Sequence, residues 1–316
     1  MASKPSIAPP VEVVAAVIER PDGRFLLAQR PAGKVYAGYW EFPGGKVEPG
    51  EAVAAAIARE LHEELGIEVE IADPWIVRIY AYPHATVRLN FFRVRAWHGE
   101  PHAKEQQQLA WQHASALDVA PLLPANAPVM RALQLPFEYA ITHAGEIGSE
   151  AQLSLLERRL ALGLRLVQVR EKSMTPAQLE RFAGAVVERA RPHGARVLIN
   201  SDIELARRVG ADGVHLTAMQ LARMQHRPTL GWCAASCHHA AELARAGELG
   251  IDFAVLGPVQ ATPTHPHAPT LGWDGFRALA RHAAMPVFAL GGMRPDDLDA
   301  ARHCGAQGIA MVRGSW

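Results

Sequence analysis

The sequence predicts two α/β domains, an α/β/α sandwich with a mixed sheet and then a (β/α)8 barrel that lacks its last helix. In the first part, strand-like runs flank one long helix with an acidic face. After a break at Leu135-Pro136, short apolar runs alternate with helical segments. The chain has 316 residues, enough for both domains. We expect a disordered lead at 1–10, a first domain at 11–134 and a barrel at 137–316.

The strands of the first domain come from apolar runs bounded by turn residues. Val11–Ile18 reads as a buried strand, and Phe25–Gln29 as the strand that returns after the turn Pro21-Asp22-Gly23. Segments 75–82 and 87–97 predict two more strands, and a short helix is expected near 128–133.

The long helix lies within the segment 45–67 and carries three carboxylates on one face. Glu60, Glu63 and Glu64 stand at i, i+3 and i+4, while apolar residues recur every four positions to make the opposite, buried stripe: Val53, Ile57, Leu61 and Leu65. Gly66 is placed to end the helix. One interpretation is an ordinary acidic surface. The other is a site for a hard divalent cation, Mg²⁺ or Mn²⁺, which relieves the repulsion between these carboxylates.

The full pattern of this segment favours the metal site. It reads G-x5-E-x7-R-E-U-x-E-E-x-G-U, where U is a bulky aliphatic residue, and its specified positions are Gly45, Glu51, Arg59, Glu60, Leu61, Glu63, Glu64, Gly66 and Ile67. This resembles the Nudix box of hydrolases that cut nucleoside diphosphates linked to another moiety. Segments 41–46, 99–101, 104–105 and 124–129 are similar to MutT-type 8-oxo-dGTP pyrophosphatases, which release the monophosphate and pyrophosphate.

The resemblance implies roles for the matching residues. The metal would be held by Glu60, Glu63, Glu64, Glu105 and the carbonyl of Gly44. Arg59 would orient the glutamates, and either Glu60 or Glu105 would act as the base. A nucleoside triphosphate would be contacted by Arg30, Phe42 and Asn126, although Asn126 beside a proline is also a common turn residue. The family's arginine before strand 87–94 is Ala85 here, with His84 and Arg88 as candidates to compensate.

The second domain shows eight strand-like runs with helical segments between most of them. They cover 139–142, 166–169, 197–199, 213–216, 232–235, 253–256, 287–290 and 308–312. Only residues 313–316 follow the last of these strands, too few for an eighth helix. Any ligand site of such a barrel lies at the carboxyl ends of its strands.

Motifs at those strand ends resemble thiamin phosphate synthase and its relative TenI, a thiazole tautomerase. They occupy 168–172, 198–200, 211–216, 236–238, 256–259 with 262–264, and 291–293. The resemblance implies that a phosphorylated ligand is bound by Gln168, Arg170, Lys172, Asn200, Ser236, Thr262, Thr264 and Gly292.

The barrel departs from this family at the positions that carry chemistry. The synthase's two magnesium-binding aspartates are replaced by Ser201 and Gln220, and its lysine after the threonines by His265. The tautomerase's histidine is Pro258. We therefore expect anion binding without synthesis of thiamin phosphate. Two alternatives stay open. In the first, the chain is a thiamin-pathway enzyme whose first domain removes a pyrophosphorylated by-product. In the second, the barrel has no catalytic role and either senses a ligand or only supports the structure.

Composition limits the partners and the compartment. Lys and Arg number 32 and Asp and Glu 32, so no basic excess favours binding to duplex nucleic acid. No apolar run has the length of a membrane span, and the first residues lack the apolar core of a signal peptide. Three cysteines without a C-x-x-C pair suggest reduced thiols. We expect a cytoplasmic protein, with the oligomeric state left open.

Overall fold

The computed structural model of the chain describes residues 9–262 and 269–316 and confirms the two-domain α/β architecture. One compact unit ends at Gln134 and the other begins at Leu135. The predicted disordered lead falls mostly on 1–8, outside the described residues. Thr264 and His265 also lie outside them.

Six strands of the first unit form two sheets. They are β1 (Val11–Ile18), β2 (Phe25–Gln29), β3 (Trp40–Glu41), β4 (Glu68–Ala81), β5 (Thr86–His98) and β6 (Leu109–Gln112). A mixed sheet runs β1-β5-β4, in which β1 is parallel and β4 antiparallel to β5. The other sheet, β3-β2-β6, is antiparallel.

Two helices cover opposite faces of β1. The long helix α1 (Val53–Leu65) packs on the side of Val14, Ala16 and Ile18, whereas α2 (Ala127–Ala132) packs on the side of Ala15 and Val17. This alternation follows from the two-residue period of a strand. It places α1 against the centre of the domain, with its acidic face turned away from the core.

Some strand predictions need correction. The strand predicted at 75–82 begins at Glu68, and β3 and β6 were not predicted. Charged residues and Pro74 interrupt the apolar pattern before Trp75. Pairing with β5 nevertheless extends β4 through this stretch, with irregularities in the register. β3 and β6 are too short to show a pattern of their own.

The second unit is a closed barrel of eight parallel strands, as predicted. The strands are β7 (Glu138–Ile141), β8 (Leu166–Val169), β9 (Arg196–Asn200), β10 (Gly213–Leu216), β11 (Trp232–Cys237), β12 (Phe253–Leu256), β13 (Val287–Leu290) and β14 (Gly308–Met311). The helices are α3 (Ala144–Ile147), α4 (Ser149–Ala161), α5 (Pro176–Ala190), α6 (Ile203–Arg208), α7 (Ala218–Arg223), α8 (Ala240–Glu248), α9 (Gly272–Ala280) and α10 (Leu298–His303). A single 3-10 turn, Arg313–Ser315, stands where an eighth helix would begin.

Aromatic rings fill the interior of the barrel. Tyr139, Phe253 and Phe288 come from three strands, and their ring centroids lie 5.2–5.9 Å apart. Such contacts make the barrel a packed core, so its polar chemistry is confined to the strand ends. Within the described residues, no helix is both long and apolar enough to cross a membrane.

Candidate active site

The turn Pro43-Gly44-Gly45 forms the floor of a cleft in the first domain. It is tied to β1, because Val14 N donates to Gly45 O at 2.9 Å and Ala16 N donates to Pro43 O at 2.7 Å. Gly44 has a φ of 145°, and a Cβ there would lie 2.2 Å from the carbonyl oxygen of Val14. A Cβ on Gly45 would lie 2.3 Å from Oε2 of Glu60. Both glycines are therefore required by close packing, one against β1 and one against α1.

Glu64 carries the strongest electrostatic signal in this cleft. Its carboxylate accepts a hydrogen bond from Gly44 N at 3.1 Å. Burial is the largest cause that raises the pKa of Glu64; with the negative charges of Glu105, Glu41 and Glu60, and against the lowering effect of that hydrogen bond, the pKa reaches about 7. The carboxylates of the cleft thus lack enough positive charge around them, which is the condition that a bound divalent cation corrects.

Arg59 connects the glutamates of α1 to the preceding loop. It donates to both oxygens of Glu51 at 2.9 Å, to Glu60 at 3.0 Å and to Glu63 at 3.1 Å. It also donates to the carbonyl of Lys46 at 3.0 Å. These bonds hold the pKa of Glu51 at about 2. The arrangement has the geometry expected of a residue that orients the glutamates.

The three glutamates of the acidic face are not equivalent. Glu60 and Glu64 lie against the glycine turn, while the side chain of Glu63 is 58% exposed and is held by Arg59. In the described parts of the chain, no three His, Cys, Asp or Glu side chains are close enough together to hold a metal. The donor chemistry nevertheless fits Mg²⁺ or Mn²⁺, since oxygen ligands of high local negative charge surround the turn.

Glu105 lies at the other side of the cleft, where Lys34 reaches it. The distance from Lys34 Nζ to Glu105 Oε2 is 2.7 Å, and this hydrogen bond raises the pKa of Lys34. The cleft is lined by Gln29, Lys34, Glu41, Gly44, Glu64 and Glu105. Lys34 and Glu41 were not singled out from the sequence. Glu41 belongs to the segment 41–46, whose resemblance to MutT-type enzymes was the available signal.

Two of the predicted substrate residues occupy different environments. Arg30 donates to both oxygens of Glu41, at 2.7 and 2.6 Å, and to the carbonyl of Val35 at 2.7 Å. Burial raises the pKa of Glu41 although Arg30 opposes this shift. Phe42 lies in the core, with its ring 5.8 Å from those of Phe25 and Phe91. The structure thus places Arg30 beside the cleft and the side chain of Phe42 beneath it.

Asn126 is buried but incompletely bonded. It ends the 3-10 turn Pro124–Asn126, its N–H donates to Leu123 O at 2.9 Å, and only 4% of the residue is exposed. No acceptor within the described residues reaches its Nδ2. A buried amide without a partner costs about 1–3 kcal/mol, and a ligand that accepts a hydrogen bond from Nδ2 would remove this cost.

At the strand ends of the barrel, buried polar side chains form a chain of hydrogen bonds. Tyr139 Oη lies 3.2 Å from His215 Nδ1, and His215 Nε2 lies 2.9 Å from Ser236 Oγ. Gln168 also bonds to Tyr139. Burial, with a smaller effect of Arg170, lowers the pKa of His215 to about 3. The imidazole is therefore neutral, and one ring nitrogen donates while the other accepts.

The other residues of the predicted anion site that fall within the described part of the chain have different environments. Arg170 is partly buried, which lowers its pKa, and its N–H donates to Thr142 Oγ1 at 3.0 Å. Lys172 is exposed. Gly292 has a φ of 70°, and a Cβ there would lie 2.7 Å from the carbonyl of Ala261, next to Thr262. Asn200 Nδ2 is 3.3 Å from Ser201 Oγ.

Ser201 and Gln220 are bonded to each other. Gln220 Nε2 donates to the carbonyl of Ser201 at 2.7 Å, while Gln220 Oε1 accepts from the N–H of Thr217 at 3.1 Å. Gln220 thereby completes a capping box at the start of α7. Both side chains are neutral. His238, in the segment 236–238, is exposed, and its Nδ1 lies 3.1 Å from Glu242 Oε2.

Comparisons with known proteins match the two units separately. A family model described as "Thiamine monophosphate synthase" matches residues 138–314, and one described as "NUDIX domain" matches 14–132. The chain is 44% identical over 122 residues to the CTP pyrophosphohydrolase of Escherichia coli, covering 39% of this chain and 90% of that relative. It is 35% identical over 178 residues to a putative thiamine-phosphate synthase of Geobacter sulfurreducens, covering 55% and 84%. A crystal structure of the MutT NUDIX hydrolase from Burkholderia pseudomallei is 33% identical, with a TM-score of 0.36, covering 39% of this chain and 96% of that one.

Proposed function

This chain belongs to the thiamine monophosphate synthase family and carries a NUDIX hydrolase domain before its barrel, and we propose that the NUDIX domain hydrolyses a nucleoside triphosphate to the monophosphate and pyrophosphate. The observation that carries the proposal is the environment of Glu64, where burial and then the neighbouring charges of Glu105, Glu41 and Glu60 raise its pKa to about 7. Perturbed carboxylates in a cleft are typical of catalytic and metal sites.

The residues of the cleft would have different roles in this reaction. Glu60, Glu64 and the carbonyl of Gly44 would hold Mg²⁺ or Mn²⁺, with Glu63 and Glu105 as further ligands. A bound cation of this kind neutralises phosphate oxygens and makes water a stronger acid. Arg59 fixes the carboxylate of Glu60 against the glycine turn.

The bond that breaks is the anhydride between the α- and β-phosphates. Water attacks phosphorus, its proton passes to a carboxylate, and pyrophosphate leaves. Glu60 and Glu105 are the two candidate bases. Lys34 contacts Glu105 and brings positive charge to the side of the cleft where pyrophosphate would depart.

The first substrate to test is 8-oxo-dGTP. The buried amide of Asn126 offers a donor and an acceptor to the edge of a guanine base. Its unsatisfied Nδ2 supports a base contact at this position. CTP is the second candidate, because the relative that is 44% identical is named CTP pyrophosphohydrolase.

The test is turnover of a nucleotide panel by the intact chain, with the products and the metal requirement measured. We expect monophosphate and pyrophosphate from 8-oxo-dGTP or CTP, with no turnover in EDTA. Release of inorganic phosphate alone, or full activity in EDTA, would contradict the proposal. The ratio of kcat/KM for 8-oxo-dGTP, dGTP and CTP decides between the two substrates.

For the barrel we propose binding of a phosphorylated ligand without synthesis of thiamin phosphate. Support comes from the bond between Gln220 and Ser201, which leaves two neutral groups where the synthase resemblance calls for carboxylates. Calorimetry with thiazole phosphate and with pyrophosphate, beside an assay for thiamin phosphate, tests both halves. Formation of thiamin phosphate would overturn the proposal, and failure of both ligands to bind would favour a structural barrel.

A further inference from the structure

Five aromatic rings of the NUDIX domain form a contiguous surface, which we call the aromatic wall: Tyr36, Tyr39, Tyr80, Tyr82 and His84. The ring of Tyr82 lies 4.5 Å from that of Tyr80 and 5.5 Å from that of Tyr36. His84 is stacked on Tyr82 at 5.5 Å with an interplanar angle of 27°. Tyr36 in turn contacts Tyr39 edge-on at 5.2 Å. Two segments that are distant in sequence, the loop before β3 and the end of β4, therefore meet through their rings.

The aromatic wall adjoins the groups that mark the substrate site. Tyr82 hydrogen-bonds to the backbone of Ala125, the residue before Asn126. Burial, with the charge of Glu41 as the next cause, raises the pKa of Tyr82 to about 12. Tyr82 thus lies between Asn126, whose amide lacks an acceptor, and the pair formed by Arg30 and Glu41.

The wall lies at the edge of the packed core, against which Tyr80 and Tyr82 pack. Its tyrosines are only partly buried and His84 is exposed, whereas Phe25 and Phe91 are no more than 2% exposed. Tyr36 has a φ of 61°, a left-handed conformation that a bulky residue rarely adopts. Such backbone conformations cluster at ligand sites. The rings are therefore positioned and also accessible.

We infer that the aromatic wall stacks against the nucleobase of the substrate, and that it does so in place of the arginine absent at Ala85. This inference rests on the proposed hydrolysis of nucleotides. Arg88, one residue that could have compensated, lies 3.6 Å from Glu12, whereas His84, the other, stacks on Tyr82. The two kinds of contact are complementary, since aromatic stacking accepts any base while Asn126 contacts the edge.

Leucine at Tyr82 or at Tyr36 removes the ring and keeps an apolar side chain. We expect each variant to lower kcat/KM for the nucleotide about tenfold, mainly through KM. The inhibition constant of inorganic tripolyphosphate, which has no base, should not change. Tyr82→Phe keeps the ring and loses the hydrogen bond to Ala125, so it should retain most of the kcat/KM that Tyr82→Leu loses. Ile79→Ala is the matched control, because Ile79 lies beside Tyr80 on the opposite, exposed face of β4.

Binding of a nucleoside monophosphate in EDTA gives a second readout that needs neither metal nor turnover. Calorimetry with CMP and 8-oxo-dGMP should show the same tenfold loss in the two leucine variants. The inference is overturned if both variants fold, by circular dichroism, and keep wild-type monophosphate affinity and KM. A parallel rise in the tripolyphosphate inhibition constant would also overturn it, since the rings would then be structural. If the wild-type chain hydrolyses no nucleotide, the proposed function fails, and calorimetry still tests the stacking.

Discussion

Polar groups in the cleft of the NUDIX domain and polar groups at the strand ends of the barrel differ in whether they have hydrogen-bond or charge partners. In the cleft, Glu64 has a pKa of about 7 because burial and, to a smaller extent, neighbouring carboxylates disfavour its charge, and the Nδ2 of Asn126 lacks an acceptor among the described residues. In the barrel, His215 is neutral between two hydroxyls, and Gln220 is bonded to Ser201. Groups in the cleft lack partners among the described residues, whereas key groups of the barrel satisfy each other.

This contrast teaches that resemblance to an enzyme family and readiness for its chemistry are separate properties. Buried polar groups that find partners within the protein stabilise the fold. Groups left without partners impose a cost that a ligand can remove. On this basis we propose catalysis in the first domain and binding without synthesis in the barrel.

The largest effect should come from the cleft. Glu64→Gln keeps the shape of the side chain but removes the charge that faces the glycine turn, and we expect kcat to fall by at least about a hundredfold. Glu63→Gln should also reduce kcat, but less, because Glu63 is more exposed and lies beside Arg59. Steady-state kinetics at saturating Mg²⁺ measure both. Near-normal kcat for Glu64→Gln would contradict the proposal that this cleft is the catalytic site.

Aspartates at positions 201 and 220 should give the barrel a metal-dependent anion site like the one proposed for the cleft. In the double variant Ser201→Asp, Gln220→Asp we expect pyrophosphate to bind about tenfold more tightly in the presence of Mn²⁺. Position 201 has a φ of 62°, which aspartate tolerates better than most residues. Calorimetry in a Glu64→Gln background isolates the barrel. The matched control is Ser201→Asn, Gln220→Asn, and an equal gain in that variant would show that charge is not the cause.

Asn126→Ala tests whether the cleft distinguishes 8-oxo-dGTP from dGTP. The variant should lose several-fold in kcat/KM for 8-oxo-dGTP and less for dGTP, because the lost amide contacts the base edge. Chemical denaturation should show little loss of stability, since the Nδ2 group has no acceptor in the described structure. Equal losses with both nucleotides would make Asn126 a structural residue.

The smallest effect we expect is on the pH dependence of the stability of the NUDIX domain in the absence of metal. Glu64 binds its proton more tightly in the folded protein, with a pKa of about 7, than at the ordinary value of 4.5. Its contribution to stability is therefore complete below pH 4.5 and is lost as the pH rises through 7. In EDTA we expect the Tm of the NUDIX domain to fall by a few degrees over this range, and Glu64→Gln to fall less. Identical pH profiles would show that Glu64 does not cause the loss.

Local sequence patterns were enough to predict much of the fold. The four-residue spacing of Ile57, Leu61 and Leu65 predicted α1, and Gly66, with a φ of 69°, ends it as expected. Several barrel strands were found to the residue because all of their side chains are buried, so their apolar runs stand out. The start of β4 was missed because its charged residues hide a pairing that only β5 supplies.

The candidate site was predictable where neighbours in sequence are neighbours in space. Arg59 and Glu63 are one helical turn apart, and their contact follows from that spacing. Lys34 and Glu105 are 71 positions apart, and the aromatic wall joins two separate segments. Nothing in a local pattern brings such residues together, because tertiary packing alone decides which of them meet.

Gly45 has a practical consequence for anyone who alters this protein or interprets its natural variants. It is not among the residues with positive φ, so a survey of backbone angles would accept alanine there. Yet the added methyl carbon would occupy the place of the Glu60 carboxylate, at 2.3 Å. The helix would keep its sequence, its caps and its buried stripe, while one acidic side chain swung away from the turn. We therefore expect Gly45→Ala to lower kcat through displacement of Glu60, although the backbone angle at this position gives no warning.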